Sequence, residues 1–532
     1  MSSISIGKYI FSRLRQLGVR SIFGVPGDYE LVLLDMILET GLLWRGNPNE
    51  LIASYAADGY ARVNGVAAFV STFGPGELSA YCGVAGQYTE SVPVVHLVGY
   101  PSTSAMKSHA IMHHSLGDGK FGMYYDMTQH ITVARTVLTD TTNAASEVDR
   151  VLNGEATIPG CMYDFMFGRR QYIGVPVDMG PREISSKSLD IPLLTSLPFN
   201  DESATLLAAS AILELLQSRT SPVIVVDGGA IRHGMVDESI NLIKALQIPY
   251  FVTSMSKGGI SEKIGEKFGG VYGGGASVAA VRDAVETSDL VLFIGNYPYL
   301  TALSRGEFTE KLEIDDLVDF QRFSVTISGT KHNITSKYAM GRYFKSGDFV
   351  IAETGTSSYG IPAASLMHAD NIRMYNQTVF GSIGFATGAA LGSFVAGKED
   401  GSIKRGILVT GEGSLQLTVQ AFADFLRHGV NATVFIINNG GYTIERLIHG
   451  MEAAYNTVPD WNYSKLCETF GPSFPARYFR IATGNELLQL LEDPTFNTAE
   501  CTQVVELILD KHDAPISVKM ASQAVEEFNK RQ

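Results

Sequence analysis

Short apolar runs that end in glycine or polar turns recur along the whole chain, each followed by residues at helical spacing. "SIFGVPGD", "AAFVSTFGPGE", "VPVVHLVGYP", "SPVIVVDGGA", "SDLVLFIGN", "GDFVIAETGT", "RGILVTGEG" and "ATVFIINNGG" have the length and continuity of buried strands. Strands alternating with helices predict an α/β protein of doubly wound domains with mainly parallel sheets, in which ligands bind beyond the carboxyl ends of the strands. The opening stretch, 1–20, carries apolar and basic residues at helical spacing without the unbroken apolar core of a signal peptide, and predicts a first domain helix. Two stretches interrupt the rhythm, one rich in Pro and Ser at 177–203 and one at 328–348. They divide the chain into three expected domains, 1–185, 190–335 and 342–532. The first and third share a scheme of strand, polar turn and helix, as two related α/β domains would.

Composition narrows the class. The 532 residues exceed what one core can hold, and 45% hydrophobic with 18% charged residues suits a well-packed enzyme. A formal charge of −14 argues against nucleic acid or an anionic membrane as partner. Cys82, Cys161, Cys467 and Cys501 lie far apart with no CxxC spacing, which argues against a zinc site or disulfide framework. No apolar stretch is long enough to span a bilayer. The expected location is the cytoplasm.

Candidate chemistry begins at "GEGSLQLTVQ", 411–420. A strand runs into Gly411-Glu412-Gly413, and the next strand ends in "NNGG", so a carboxylate and an amide meet at one sheet edge. With a backbone carbonyl of the Gly440-Gly441 turn they form an oxygen cage suited to Mg²⁺. Alone, Gly-Glu-Gly reads equally as a strand–turn–helix junction with an exposed acid.

"GEGS" followed by "NN" resembles the thiamine diphosphate motif, usually written with Asp in place of Glu412. The wider text resembles the pyruvate decarboxylase family, fungal type: "GEGSLQLTVQ…INNGGYTIERLIHG", "FGVPGDYELVLLD", "NELIASYAADGYAR", "TFGPGELSA", "MHHSLGDG", "ETGTSSYG" and "GSIGFATGAALG". The resemblance implies three domains of the thiamine-diphosphate-enzyme fold: pyrimidine-binding, central regulatory and diphosphate-binding. It implies the cofactors thiamine diphosphate and Mg²⁺, the metal held by Glu412, Asn439 and the carbonyl of Gly441. Thr354, Thr356, Gly381, Ser382, Gly413, Ser414, Gly440, Tyr442, Thr443 and Ile444 are implied to line the diphosphate and pyrimidine, with Ile383 as an apolar wedge. Read alone, Ile383 is a core residue.

Glu50 is implied to hydrogen-bond the pyrimidine N1′, although by itself it reads as a helix-start acid favoured by the dipole. Asp28, His113, His114 and Glu445 form the implied proton-handling group. Separately they read as a turn residue, a structural histidine pair and a first-turn acid. The implied reaction is non-oxidative decarboxylation of a small-molecule 2-oxo acid, pyruvate first. The alternatives are larger aromatic or branched 2-oxo acids, or a catalytically impaired paralogue. The pocket positions Ser358, Tyr359 and Phe380 differ modestly from the common pyruvate type. Implied too is a homodimer or homotetramer with active sites at the dimer interface. The passage at 151–176 is longer than the family's and the seam near 330–342 shorter. Gly229 stands where some yeast enzymes carry activating cysteines, and Arg232 matches an arginine that binds regulatory pyruvate there.

Overall fold

The computed structural model describes residues 3–153, 171–193, 202–296, 317–321, 324–327, 330–332, 347–363, 372–515, 518–519 and 522. The inserted passage at 154–170, most of the second seam and Cys161 lie outside these residues.

Two six-stranded parallel sheets and one seven-stranded sheet organise the chain. The first runs Leu43–Gly46, Ser21–Gly24, Ala67–Thr72, Val94–Tyr100, Gln171–Pro176, Ala134–Val137. The third runs Arg373–Tyr375, Gly347–Ala352, Ile403–Gly411, Ala432–Asn438, Thr502–Ile508, Ala476–Ile481. In chain order both read 2-1-3-4-6-5, so the shared scheme of strand and turn extends to topology. The middle sheet has five parallel strands and ends in the antiparallel pair Ser324–Ile327 and Thr330–His332. All eight apolar runs are strands. The opening stretch forms the helix Ile6–Gln16, capped by Ser5 Oγ accepting from Lys8 N–H, and Ser3–Ser5 pairs with Glu183–Ser185. Among the described residues no helix is long and apolar enough to cross a membrane.

The first and third sheets share one core through two helices, Glu50–Asn64 and Phe385–Asp400. Each presents small residues to the other. A Cβ on Gly59 would run into the Ala389 carbonyl, and one on Gly392 into the Ala56 carbonyl. Backbone therefore meets backbone, and Ser393 Oγ donates to Gly59 O at 2.9 Å. Buried charge closes the junction of all three domains. Arg62 donates to Asp58 (2.5 Å), Glu90 (2.8 Å) and Asn376 O (3.2 Å), while Val379 N–H donates to Glu90 Oε1 (3.1 Å). From the central domain, the Arg232 guanidinium comes within 3.8 Å of Glu90. Gly229 packs its backbone on Gly295, whose carbonyl a side chain at 229 would strike, so this backbone has no room for a cysteine there.

A second polar contact joins the two sheets where Asn47 donates to buried Asp424 (2.8 Å) and accepts from Gly24 N–H (3.1 Å). Burial pushes the Asp424 carboxyl up to about 7, opposed by Asn47 and Arg427. An acid raised on folding contributes stability that is present below about 4, its unfolded value, and lost as pH rises through about 7. Asp424→Asn, which cannot ionise, is expected to come nearest the native Tm below about pH 4, to exceed it increasingly up to about pH 7, and to keep a constant excess towards about pH 8. Thermal melts across that range check this; an offset already constant between about pH 4 and about pH 7 would reject the assignment.

Candidate active site

The carboxyl ends of strands Gly347–Ala352, Ile403–Gly411 and Ala432–Asn438 open on a cavity of about 230 Å³. Thr354, Thr356, Gly381 and Ile383 line one wall, and Glu412, Gly413 and Ser414 another. Asn439, Gly441, Tyr442, Thr443, Ile444 and Glu445 complete it. Ile383 is 37% exposed, so it is a cavity wall and not the core residue its apolar side chain suggests in isolation. Ser382 turns away, its hydroxyl donating to Gln377 Oε1 at 2.5 Å, and Gly440 points its carbonyl at Arg446 (2.6 Å); neither lines this cavity.

Glu412 is buried at the start of helix Glu412–Thr418, and Gly441 N–H donates to its Oε1 at 2.6 Å. Burial holds its carboxyl above the usual range, against the backbone N–H groups of 412, 441, 439 and 440. Asn439 Nδ2 donates to Thr443 Oγ at 2.5 Å, which leaves Oδ1 as the atom for a cation. Gly441 has φ +142°, and a Cβ there would strike the Asn456 carbonyl, so only glycine closes this turn. A desolvated carboxylate, an amide oxygen and a tight glycine turn suit a hard cation, and the backbone N–H groups at the helix start favour a phosphate. The donor set thus fits Mg²⁺ and a diphosphate.

The other implied residues lie in the first domain. His113 Nε2 is 2.7 Å from Asp28 Oδ2, and His114 Nε2 is 3.8 Å from Asp28 Oδ1. Tyr29 stacks on His113 with ring centroids 4.9 Å apart and donates to the His113 carbonyl (3.1 Å). Glu50 begins its helix behind the N-cap Asn49, with Oε1 close over Gly76. The structure therefore brings Asp28, His113 and His114 together but does not bring Glu445 to them. Among the described residues, the cavity that Glu445 lines draws only on 354–445, without Asp28, Glu50, His113 or His114.

Several supporting residues escaped motif reading. Glu353, fully buried just before Thr354, accepts from Thr354 N–H (2.9 Å), Gly384 N–H (3.2 Å) and Ala386 N–H (3.2 Å). It ties Thr354 to the backbone that follows Ile383, holding the two ends of that wall together, and caps the helix Phe385–Asp400. Burial pushes it up to about 7 despite those donors. Arg446 braces the Asn439–Gly441 turn through the carbonyls of Asn439 (3.2 Å) and Gly440 (2.6 Å). Both sit inside quoted motifs, next to residues that were named; only the fold shows what they hold.

Three family models match the chain in order: "Thiamine pyrophosphate enzyme, N-terminal TPP binding domain" over 4–119, the "central domain" over 209–328 and the "C-terminal TPP binding domain" over 355–502. The chain is 36% identical over 578 residues to the pyruvate decarboxylase of Candida glabrata, covering 100% of both chains. It is 36% identical over 561 residues to pyruvate decarboxylase isozyme 1 of Saccharomyces cerevisiae (97% of each), and 36% over 568 residues to the pyruvate decarboxylase of Aspergillus terreus (99% of this chain, 98% of the relative).

Replacing Glu353 by Ala orphans three buried N–H groups, at a cost of roughly 3 kcal/mol or more. Glu353→Ala is expected to lower Tm by several degrees and to weaken thiamine diphosphate binding at least about tenfold, the equivalent of 1.4 kcal/mol. Glu353→Gln should fall between. Calorimetric titration with the cofactor and Mg²⁺ checks this, and native affinity in the Ala variant would free the cavity walls from Glu353.

Proposed function

The chain belongs to the thiamine-diphosphate-dependent pyruvate decarboxylase family, and from that premise we propose that it converts pyruvate to acetaldehyde and CO₂ without oxidation. It is a carboxy-lyase that uses thiamine diphosphate with Mg²⁺ as partner metal. The observation that carries the reading is the cavity at the sheet edge where Glu412, Asn439 and Gly441 converge with Glu445.

Glu412, the Asn439 amide oxygen and the Gly441 carbonyl hold the cation, and Thr354, Gly413 and Ser414 orient the diphosphate. When bound, the cofactor supplies the electron sink for the carbon–carbon bond that breaks. Ile383 would offer the bound cofactor an apolar contact, and Glu50 would hold a proton at its pyrimidine ring. Asp28 and His113, 2.7 Å apart, share a proton, with His114 as the second imidazole beside the same carboxylate. These groups and Glu445 release and return protons on the 2-oxo acid side, the work of positioned general acids and bases.

Glu50, Asp28 and the His113–His114 turn come from one copy of the chain, and the cation site with Glu445 from another. A cavity built only from 354–445 supports this, since it needs Glu50 and the His113–His114 turn from elsewhere. The working unit is a homodimer or a pair of dimers. We place it in the cytoplasm, where free Cys82, Cys467 and Cys501 stay reduced.

Purified protein with thiamine diphosphate and Mg²⁺ is expected to release CO₂ and an equal amount of acetaldehyde from pyruvate, faster than from phenylpyruvate or indolepyruvate. Acetolactate as main product, or preference for a larger acid, would overturn the substrate assignment. Glu50→Gln and Glu445→Gln are each expected to be nearly inactive alone. Co-expressed with different tags and purified as the mixed dimer, they should regain one intact site of the two. No recovery in the mixed dimer would place both residues in one copy's site.

A further inference from the structure

Beneath the His113–His114 turn lies a cluster of buried aromatic rings that includes Tyr29, Phe73, Tyr100, Tyr124 and Tyr172. At its base sits an acid that the proposed mechanism does not use. Glu77 is 0% exposed and accepts from three sources: Gly74 N–H (2.9 Å), Tyr172 Oη (2.8 Å) and Tyr81 Oη (3.0 Å). Tyr172 Oη lies 2.7 Å from Tyr100 Oη, and Tyr81 Oη also reaches the Tyr124 carbonyl at 2.8 Å. A glutamate at the third position of a helix commonly caps its own first turn from the surface. This one is buried and gathers donors from two helix-borne groups and a strand, a costly arrangement unless every member is satisfied. Burial pushes its carboxyl up to about 7 even so.

The contacts continue upward. Gly74, at φ +78° and ψ −109°, faces His114 so closely that a Cβ would run into the His114 carbonyl. His114 itself is in the left-handed region at φ +65°, a conformation that persists in a non-glycine residue only when neighbours impose it. Tyr124 Oη approaches the same carbonyl at 3.4 Å, and its ring packs edge-on against Phe73, centroids 5.0 Å apart. The place of His114 is thus set from below by Gly74 and Tyr124, and both are tied to Glu77, the first directly and the second through Tyr81.

We propose that Glu77 is a positioning residue for the His113–His114 turn: its carboxylate locks Gly74 and the tyrosine cluster, and through them holds His114 strained beside Asp28. The proposal rests on the proton-handling role assigned above to the histidine pair. Positioned acid–base groups contribute roughly 10²–10⁴-fold to rate, and loosening the turn forfeits part of that.

Hydrogen–deuterium exchange and steady-state kinetics test it together, on the cofactor-loaded full chain. In Glu77→Gln, peptides covering 109–119 are expected to exchange at least about fivefold faster, while those covering 403–411 stay as in the native protein. Turnover should fall about tenfold, within the acid–base contribution, with KM and cofactor affinity unchanged. If that variant fails to fold, Tyr172→Phe, which removes one donor to Glu77, should show the same pattern more weakly. Native exchange over 109–119 in a folded variant overturns the positioning role. So does a general rise in exchange that includes 403–411, which marks an ordinary loss of stability. Faster exchange over 109–119 with native turnover supports the positioning role and removes the histidine pair from the catalytic machinery.

Discussion

Everything in this structure that bears on chemistry depends on two helices meeting backbone to backbone. Glu50–Asn64 and Phe385–Asp400 pack so that Gly59 lies on the Ala389 carbonyl and Gly392 on the Ala56 carbonyl. A side chain at either glycine would force the helices apart, because interiors packed to crystal-like density do not absorb such a displacement. The same helices begin at the places that matter: one with Glu50, the other directly after Gly384, whose N–H, with that of Ala386, is held by Glu353. The crossing that merges two sheets into one core thereby orients the edge that carries the proposed pyrimidine contact and the edge that carries the cation cage.

Buried carboxyls are the other recurring device. Burial raises Glu353, Glu412 and Glu77 alike; the first two are held by several backbone N–H groups, and Glu77 by the Gly74 N–H and two tyrosine hydroxyls. Amides fixed in a turn supply positive potential with little reorganisation, whereas lysine or arginine would compete with a bound metal for the same oxygens. Glu412 is thus a desolvated acid at the proposed cation site, while Glu353 ties Thr354 to Gly384 and Ala386, and Glu77 joins Gly74 to Tyr81 and Tyr172. Glu30 departs from this scheme. It is buried between Asp28 and Glu50 with neither oxygen in good hydrogen-bonding geometry, and burial first, then those two charges, push it up to about 8.

The fold class and the eight strands are local properties, legible in the chain itself, whereas the candidate residues were legible only through the resemblance of their motifs to a family. A continuous apolar run that ends in glycine needs no partner to read as a buried strand, whereas Gly411-Glu412-Gly413 reads as a cation site only together with the amides that end the next strand. Strands such as Leu43–Gly46 and Ala476–Ile481 were not legible in this way, because they form sheet edges and mix polar with apolar residues. Tertiary structure alone decided which candidates meet. Asp28 joins His113 and His114 while Glu445 joins Glu412, since each pairing follows from strand order within a sheet and not from distance along the chain. It also brought Tyr172 to Glu77 and Gly384 to Glu353, partners 95 and 31 positions away in sequence. A hydrogen bond across a core leaves no periodic mark on either strand that makes it, so only the folded chain reveals it.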